Sequence, residues 1–374
     1  MKAISIEELK NHLLAGDTII DVRAPIEFEA GSIPGSINLP VLDNDERHQV
    51  GKCFKSQGQD AAIALGHQLV SGENLEKKIS AWQKALTENP KAVITCFRGG
   101  LRSQSTQKFL LERGLLTARL GLGYKAARQF LSDYLTQDAA QFPMVILSGT
   151  TGSGKTHLLN DLVPIYPAID LEGLAHHRGS AFGAWDIAQP AQADFENRLS
   201  FKLLRLTSEK KILKPILFED ESRMIGTCHI PEPFFLKMRN APVVLVQESV
   251  ATRTDNIYVD YISSKIHPAT TSDQSVQAIL AKYKKSVEKI QKKLGGLRAQ
   301  ELLADLDRCE KQYLDSKEIS GNKIWIEKLL VWYYDPMYVG SLEKRNPQIQ
   351  FQGTRAAIKE YFLSLNSSAA AQLK

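Results

Sequence analysis

The chain has 374 residues, with 47 Lys and Arg against 42 Asp and Glu for a formal net charge of +5, and 43 % of its residues are hydrophobic. That length favours two domains with substantial cores, and the mild basicity identifies no partner until its distribution is known. Four cysteines, at 53, 96, 228 and 309, form no C-x-x-C pair, so neither a disulfide framework nor a zinc site is indicated. The N-terminus contains acidic residues and lacks an apolar h-region, and no apolar run approaches the ~20 residues of a membrane span. A cytoplasmic protein with no membrane partner is expected.

In chain order, Ser5 and Glu8 have the spacing of a capping box opening a helix. Thr18 to Val22 reads as a short apolar strand carrying Asp21, with Arg23 following. Pro25 and Glu27 begin a helical turn, and residues 31–40, GSIPGSINLP, form a turn-rich connection. Leu75 to Leu86 is an amphipathic helix. The strand Lys91 to Thr95 runs into Cys96, and a helical pattern opens at Ser103 and continues through Phe109, Leu110 and Leu111. Arg119 to Gly123 is a further short strand and turn, and Lys125 to Leu135 a last helix. Strands alternating with helices predict a parallel sheet covered on both faces.

The segment TCFRGGLRS, residues 95–103, is the candidate reaction centre of this half. A helix N-terminus carries partial positive charge and free N–H groups, which favour a thiolate at Cys96. Gly99 and Gly100 let the loop curl its N–H groups inward as an anion seat. Arg98 and Arg102 would add charge-assisted donors. The competing reading is a buried core thiol; the two glycines and two arginines behind the cysteine favour a reactive role.

Asp21-Val-Arg-Ala-Pro-Ile-Glu27-Phe28, with Gly31 to Pro40 after it, resembles the first signature of rhodanese domains. Cys96 to Arg102 matches their active-site loop in position. Over residues 4–135 the resemblance implies that Cys96 carries a sulfur-family atom, as a persulfide or its selenium counterpart. An ordinary rhodanese loop has four residues between cysteine and second arginine, whereas here there are five, Phe97 to Leu101. That wider C-x5-R loop resembles rhodanese-related phosphatases and implies a donor bearing a phosphate; a plain phosphatase is the competing reading.

The sequence predicts an α/β protein: a rhodanese-like parallel-sheet domain at 1–136, a polar linker at 137–143, and a P-loop NTPase-like α/β domain with a helical C-terminal part at 144–374. Met144 to Ser148 is a buried-strand run. It feeds Gly149-Thr150-Thr-Gly152-Ser153-Gly154-Lys155-Thr156, which is G-x-x-x-x-G-K-T between strand and helix. Backbone N–H groups would wrap a diphosphate at the helix N-terminus, with Lys155 on the outer phosphate. Thr156 would hold Mg²⁺ if the reaction uses it, as would Asp220. Lys214 to Phe218 is a neighbouring strand ending in Glu219, Asp220 and Glu221, and position alone does not choose between Glu219 and Asp220 as the Walker B-like acid. Arg253, beyond the strand Pro242 to Gln247, is either a phosphate contact or a surface arginine.

Residues 170–183, DLEGLAHHRGSAFG, have the composition of a functional loop. His176, His177 and Arg178 are its candidate substrate contacts. Residues 282–298 hold seven Lys or Arg and one acid, with Tyr283, Val287, Ile290 and Leu294 on one inward stripe. The lysine face is either solvated or a contact to a polyanion. The aromatics from Leu330 to Tyr338 are expected mainly in the core, with a base-stacking surface as the alternative.

The rhodanese-like half, the P-loop, residues 170–183, the FEDES turn and the YYDPMY segment together closely resemble the tRNA 2-selenouridine synthase family along essentially the whole chain. The resemblance implies exchange of sulfur for selenium at the wobble 2-thiouridine of tRNA. Geranyl diphosphate would first alkylate the sulfur, and selenium from selenophosphate would then replace the S-geranyl group. It also implies no tightly bound cofactor. The readings competing with it are an ATP-dependent tRNA sulfurtransferase, a rhodanese-related phosphatase, and a non-catalytic tRNA-binding or redox adaptor.

Overall fold

The computed structural model describes every residue except 138–141, 181, 183, 184, 186, 209–213 and 372–374, and leaves the side chains of 366–371 undescribed. The chain forms two units, residues 1–141 with 190–212, and residues 142–189 with 213–374. Each is organised by a five-stranded, wholly parallel sheet, as the alternation of strand and helix patterns predicts.

In the first unit the strands are β1 (Lys2–Ile4), β2 (Ile19–Asp21), β3 (Ser36–Asn38), β4 (Val93–Thr95) and β5 (Ala118–Leu120), in the order β1-β5-β4-β2-β3. The central strands β2 and β4 are wholly buried, as helix-covered parallel strands are. Ser5 and Glu8 close the expected capping box at both of its bonds. Between β3 and β4 the chain adds two helices, Asn44–Gln57 and Gln59–Leu69, that the hydrophobic pattern does not announce. Their residues are mostly exposed, so no apolar stripe marks them; the local signal is the capping box of Asp43 and Glu46.

The domain boundaries need one correction. The expected P-loop segment ran unbroken from 144 to 374, but helix Gln192–Ser208 packs on helix Gly123–Thr136 of the first unit. Phe195, Leu199 and Leu203 are its buried stripe. Asp194 accepts from the Ser32 N–H at 2.8 Å, Asn197 donates to the Ser32 carbonyl at 2.7 Å, and Arg128 pairs with Glu196. An amphipathic stripe declares that a helix needs a partner and not which partner. Most of the expected 137–143 linker lies outside the described residues.

In the second unit the sheet strands are β6 (Met144–Gly149), β7 (Ala168–Ile169), β8 (Ile216–Glu219), β11 (Val243–Val246) and β12 (Ile349–Gly353); β9 (Met224–Ile225) and β10 (Cys228–His229) form a separate antiparallel pair. The order β12-β11-β6-β8-β7 puts β6 in the middle with the carboxyl ends of β8 and β11 beside its own, the usual location of a ligand site in an open α/β sheet. The helical part follows, with Tyr283, Val287, Ile290 and Leu294 of helix Asp273–Leu294 buried as the stripe predicts. Among the described residues no helix is long and apolar enough to cross a membrane.

Candidate functional site

In the first unit, β4 delivers Cys96 to a loop that ends in helix Leu101–Glu112, two residues earlier than the expected opening at Ser103. The thiol is 3 % exposed, with Sγ 3.1 Å from the Ser103 hydroxyl and 3.8 Å from the Gly100 carbonyl. Of the two loop glycines only Gly99 is left-handed, at φ 66°. A Cβ there would lie 1.9 Å from the Gly121 carbonyl oxygen. The turn after β5 is therefore the loop's mould. Tyr124 N–H donates to the Cys96 carbonyl at 2.8 Å, Lys125 N–H to Phe97 at 2.9 Å, and the Arg119 guanidinium to Gly99 at 2.9 Å.

The two loop arginines divide. Arg98 is exposed, its guanidinium 5.8 Å from the Phe97 ring centre. Arg102 is held by Glu27, Nη1 to Oε2 at 2.5 Å. Burial alone would raise the Glu27 carboxyl, but the Arg102 bond and charge, with the Ala24 N–H and Arg47, outweigh it and hold the pKa below the ordinary value. Asp21 and Arg23 form a buried pair at 2.6 Å, with Arg23 also bonded to the Gly31 carbonyl and lying 3.8 Å over the Tyr124 ring. The first signature is thus a brace, and Glu27, Arg119 and Gly123 surround the loop beyond the residues predicted for the site. A carboxylate at fixed distance upstream of a two-arginine loop was the available signal for Glu27.

In the second unit, Gly149, Gly152 and Gly154 adopt φ of 157°, 82° and 77°. A Cβ at Gly152 would lie 2.8 Å from the Arg253 carbonyl, and one at Gly154 2.7 Å from the side chain of Arg355. Helix Lys155–Leu162 begins at this loop. Lys155 Nζ donates to the Gly149 carbonyl at 2.7 Å and lies 3.4 Å from that of Thr150, spanning the loop mouth. Thr156 donates to Glu172 at 3.0 Å, and the Ser153 hydroxyl is buried without a partner. The loop opens on a cavity of about 760 Å³ that includes Lys155, Thr156, Arg178, Glu219 and Tyr338 in its walls.

The acids sort themselves. Asp220 is committed, accepting from the Ser148 hydroxyl and pairing with Arg345 at 2.8 Å. Glu219 is 1 % exposed and neither of its carboxylate oxygens has a hydrogen-bond partner. Burial first, then the charges of Glu172, Asp170 and Glu221, push its pKa well above the usual value. Glu172 and Glu221 are also raised, again by burial first. Among the described residues no three His, Cys, Asp or Glu side chains converge as a metal cage.

Three expectations about this loop region require correction. Arg253 is not a surface residue: it is 3 % exposed, and it bonds the Thr151 carbonyl at 2.9 Å and Asp335 at 2.5 Å. His176, in the left-handed region at φ 51°, stacks on Trp185 and lies 3.1 Å from the Ala188 carbonyl, outside the cavity walls. His177 buries an unpartnered Nδ1, and burial lowers its pKa. Arg178 alone of the three lines the cavity, paired with Asp260 at 3.3 Å and 4.9 Å over the Tyr261 ring. The C-terminal aromatics also gain a role, since Tyr334, Met337 and Tyr338 line the cavity and the Tyr338 hydroxyl lies 2.9 Å from that of Ser148. Burial pushes the Tyr338 phenol up to about 12.

A braced cysteine loop on one parallel sheet and a glycine-rich lysine loop on another define a two-domain α/β enzyme. Residues 5–129 match the rhodanese-like domain family, and residues 142–369 match the family described as the tRNA 2-selenouridine synthase AAA domain. The tRNA 2-selenouridine synthase of Bdellovibrio bacteriovorus is 46 % identical over 98 % of this chain and 99 % of its own. Those of Nitrosomonas europaea and Pseudomonas fluorescens are 40 % and 42 % identical, over 96 % and 92 % of this chain and 97 % and 93 % of theirs. The chain belongs to the tRNA 2-selenouridine synthase family.

Proposed function

We propose that the protein converts wobble 2-thiouridine of tRNA to 2-selenouridine in two steps, with geranyl diphosphate and selenophosphate as co-substrates. In the first step the thiocarbonyl sulfur attacks C1 of the geranyl group. The C–O bond breaks, and diphosphate leaves with its electron pair. In the second, the selenium of selenophosphate adds at C2 of the base and the C2–S bond breaks, releasing geranyl thiol; water then takes the phosphoryl group, the Se–P bond breaks, and inorganic phosphate leaves selenium on C2. Alkylation is what makes the sulfur able to leave. The observation that carries this reading is the pairing, in a chain similar to these synthases over its whole length, of the Cys96 loop with the Lys155 loop.

In this reading Lys155 and the N–H groups of residues 149–156 stabilise the departing diphosphate. Arg178 and Arg355 supply further positive charge beside that loop. The alkylated base must lose its N3 proton, and Glu172 and Glu221 offer carboxyls in the walls of the same cavity to receive it. Mg²⁺ fits the donor set at the Thr156 hydroxyl and Glu219, whose buried oxygens lack partners, because that ion takes one or two carboxylates together with phosphate oxygens. It would supply charge neutralisation to the diphosphate. The wider Cys96 loop would seat the phosphate of selenophosphate, with Arg98 free to approach it and Arg102 anchored by Glu27.

The test is mass analysis of nucleosides after incubation of 2-thiouridine tRNA with geranyl diphosphate, with and without selenophosphate. S-geranyl-2-thiouridine is expected without the selenium donor and 2-selenouridine with it. Product formed only with ATP, and none with geranyl diphosphate, would establish an ATP-dependent sulfurtransferase instead.

A further inference from the structure

The Cys96 loop forms part of the wall of a cavity of about 1350 Å³ within the first unit, larger than the ~300–1,000 Å³ of ordinary small-molecule sites. A phosphate-sized donor needs only the loop itself. The rest of the space is walled by apolar side chains from the two added helices and the loop region, including Val50, Phe54, Ile63, Leu101 and Phe109. Phe54 and Leu101 are each 54 % exposed, and Phe97 is 37 % exposed. Large apolar side chains gathered around a reactive thiol mark a surface that an apolar ligand covers. Arg47, His48, Lys52 and Lys55 contribute basic groups to the same walls. The site therefore combines a large space with apolar walls, a thiol and cationic groups suited to nucleic-acid phosphates.

We propose that this cavity is a prenyl seat, which takes the ten-carbon chain of S-geranyl-2-thiouridine when that nucleotide is presented to Cys96. The inference rests on the two-step reading above and adds to it a recognition element for the second step. When selenium attacks C2, the sulfur on that carbon carries the geranyl chain, and the chain needs a water-excluded place within reach of the cysteine. The helices Asn44–Gln57 and Gln59–Leu69 provide one of its walls. Specificity follows: a seat of this volume, with apolar side chains in its walls, discriminates the alkylated base from unmodified 2-thiouridine by the burial of the chain. This seat belongs to the first unit and the Lys155 loop to the second.

The experiment uses the full chain and anticodon stem-loop RNAs carrying S-methyl, S-dimethylallyl, S-geranyl or S-farnesyl 2-thiouridine. It measures binding by fluorescence anisotropy and single-turnover selenation with selenophosphate. The wild type is expected to bind the S-geranyl RNA at least about tenfold tighter than the S-methyl RNA, since even one methylene in an apolar pocket is worth about tenfold or more. Ile63→Trp, which fills the seat, should remove most of that difference and shift the preference to dimethylallyl. Phe54→Ala, at an exposed position, should fold normally and shift it toward farnesyl. Geranylation of 2-thiouridine RNA should be unchanged in both variants.

Equal wild-type affinity for the S-methyl and S-geranyl RNAs would overturn the seat, as would variants that leave the chain-length preference unmoved. Discrimination in binding without any selenation by the wild type would overturn the two-step reading and leave the seat standing. Selenation without chain-length discrimination would do the reverse.

Discussion

The Arg102 guanidinium lies 2.5 Å from the Glu27 carboxylate, so the second arginine of the cysteine loop is fixed by the signature 75 residues upstream of it. Glu27→Gln should loosen the loop and lower selenation while leaving geranylation intact. The folded pKa of Glu27 is depressed, so its stabilisation is present above the ordinary glutamate range and is lost as pH falls through the folded value. Denaturant melts should show the variant about 1–2 kcal/mol less stable at neutral pH, with the difference vanishing on acidification through the depressed folded value. A difference that persists in acid would show that the pair is not its source.

Cys96→Ser removes the thiol and keeps a hydroxyl of similar size beside Ser103. Selenation of S-geranyl RNA should fall by roughly a thousandfold or more, the scale seen when a nucleophile is removed. Geranylation should continue, and S-geranyl nucleoside should accumulate in the mass analysis. Loss of both activities in a folded variant would refute the division of labour between the two loops.

Lys155→Ala should have the opposite signature. The diphosphate would lose its principal charged donor, and geranylation should fall about 10²–10³-fold. RNA supplied already geranylated should still be converted to 2-selenouridine. Unimpaired turnover with geranyl diphosphate would move the prenyl-transfer site elsewhere.

Glu219 is buried without a partner and its pKa is raised, so the folded state favours the protonated acid. The linkage runs opposite to Glu27: stability is complete below the unfolded value of about 4.5 and declines as pH rises through the folded value. Glu219→Gln should therefore raise Tm at pH 7 to 8, by several degrees at most, and flatten that slope. If Mg²⁺ uses this carboxylate, the ion together with diphosphate should raise the wild-type Tm and not that of the variant.

Gly123 sits at φ 67°, and a Cβ there would lie 2.4 Å from both the Cys96 carbonyl oxygen and the Gly99 nitrogen. Gly123→Ala should displace the loop, cost about 1–3 kcal/mol of stability, and lower selenation more than geranylation. Thermal melts and the paired nucleoside assay check both parts.

The strands, the capping box at Ser5, the buried stripe of Tyr283 to Leu294 and the two chemical loops were legible because each is written within a few consecutive residues. A strand feeding Cys96 or Gly149 is an apolar run, and the glycines that follow leave few backbone alternatives. The helices at 44–69 were not legible, because their exposed surfaces carry no apolar period, and neither was the partner of helix Gln192–Ser208.

The sequence by itself determined the α/β class and the two glycine-bearing loops that present a thiol at Cys96 and an ammonium at Lys155 beyond strand ends. Only the tertiary structure decided how the surrounding charges are used. Asp335, 82 residues away, holds Arg253 beside the Lys155 loop, Arg345 ties up Asp220, and Glu219 is left buried and unpaired. The physical reason is that a side chain's partner in a packed interior is set by distant segments converging on it. Local spacing names the group; burial and long-range pairing decide whether it faces a ligand or holds the scaffold.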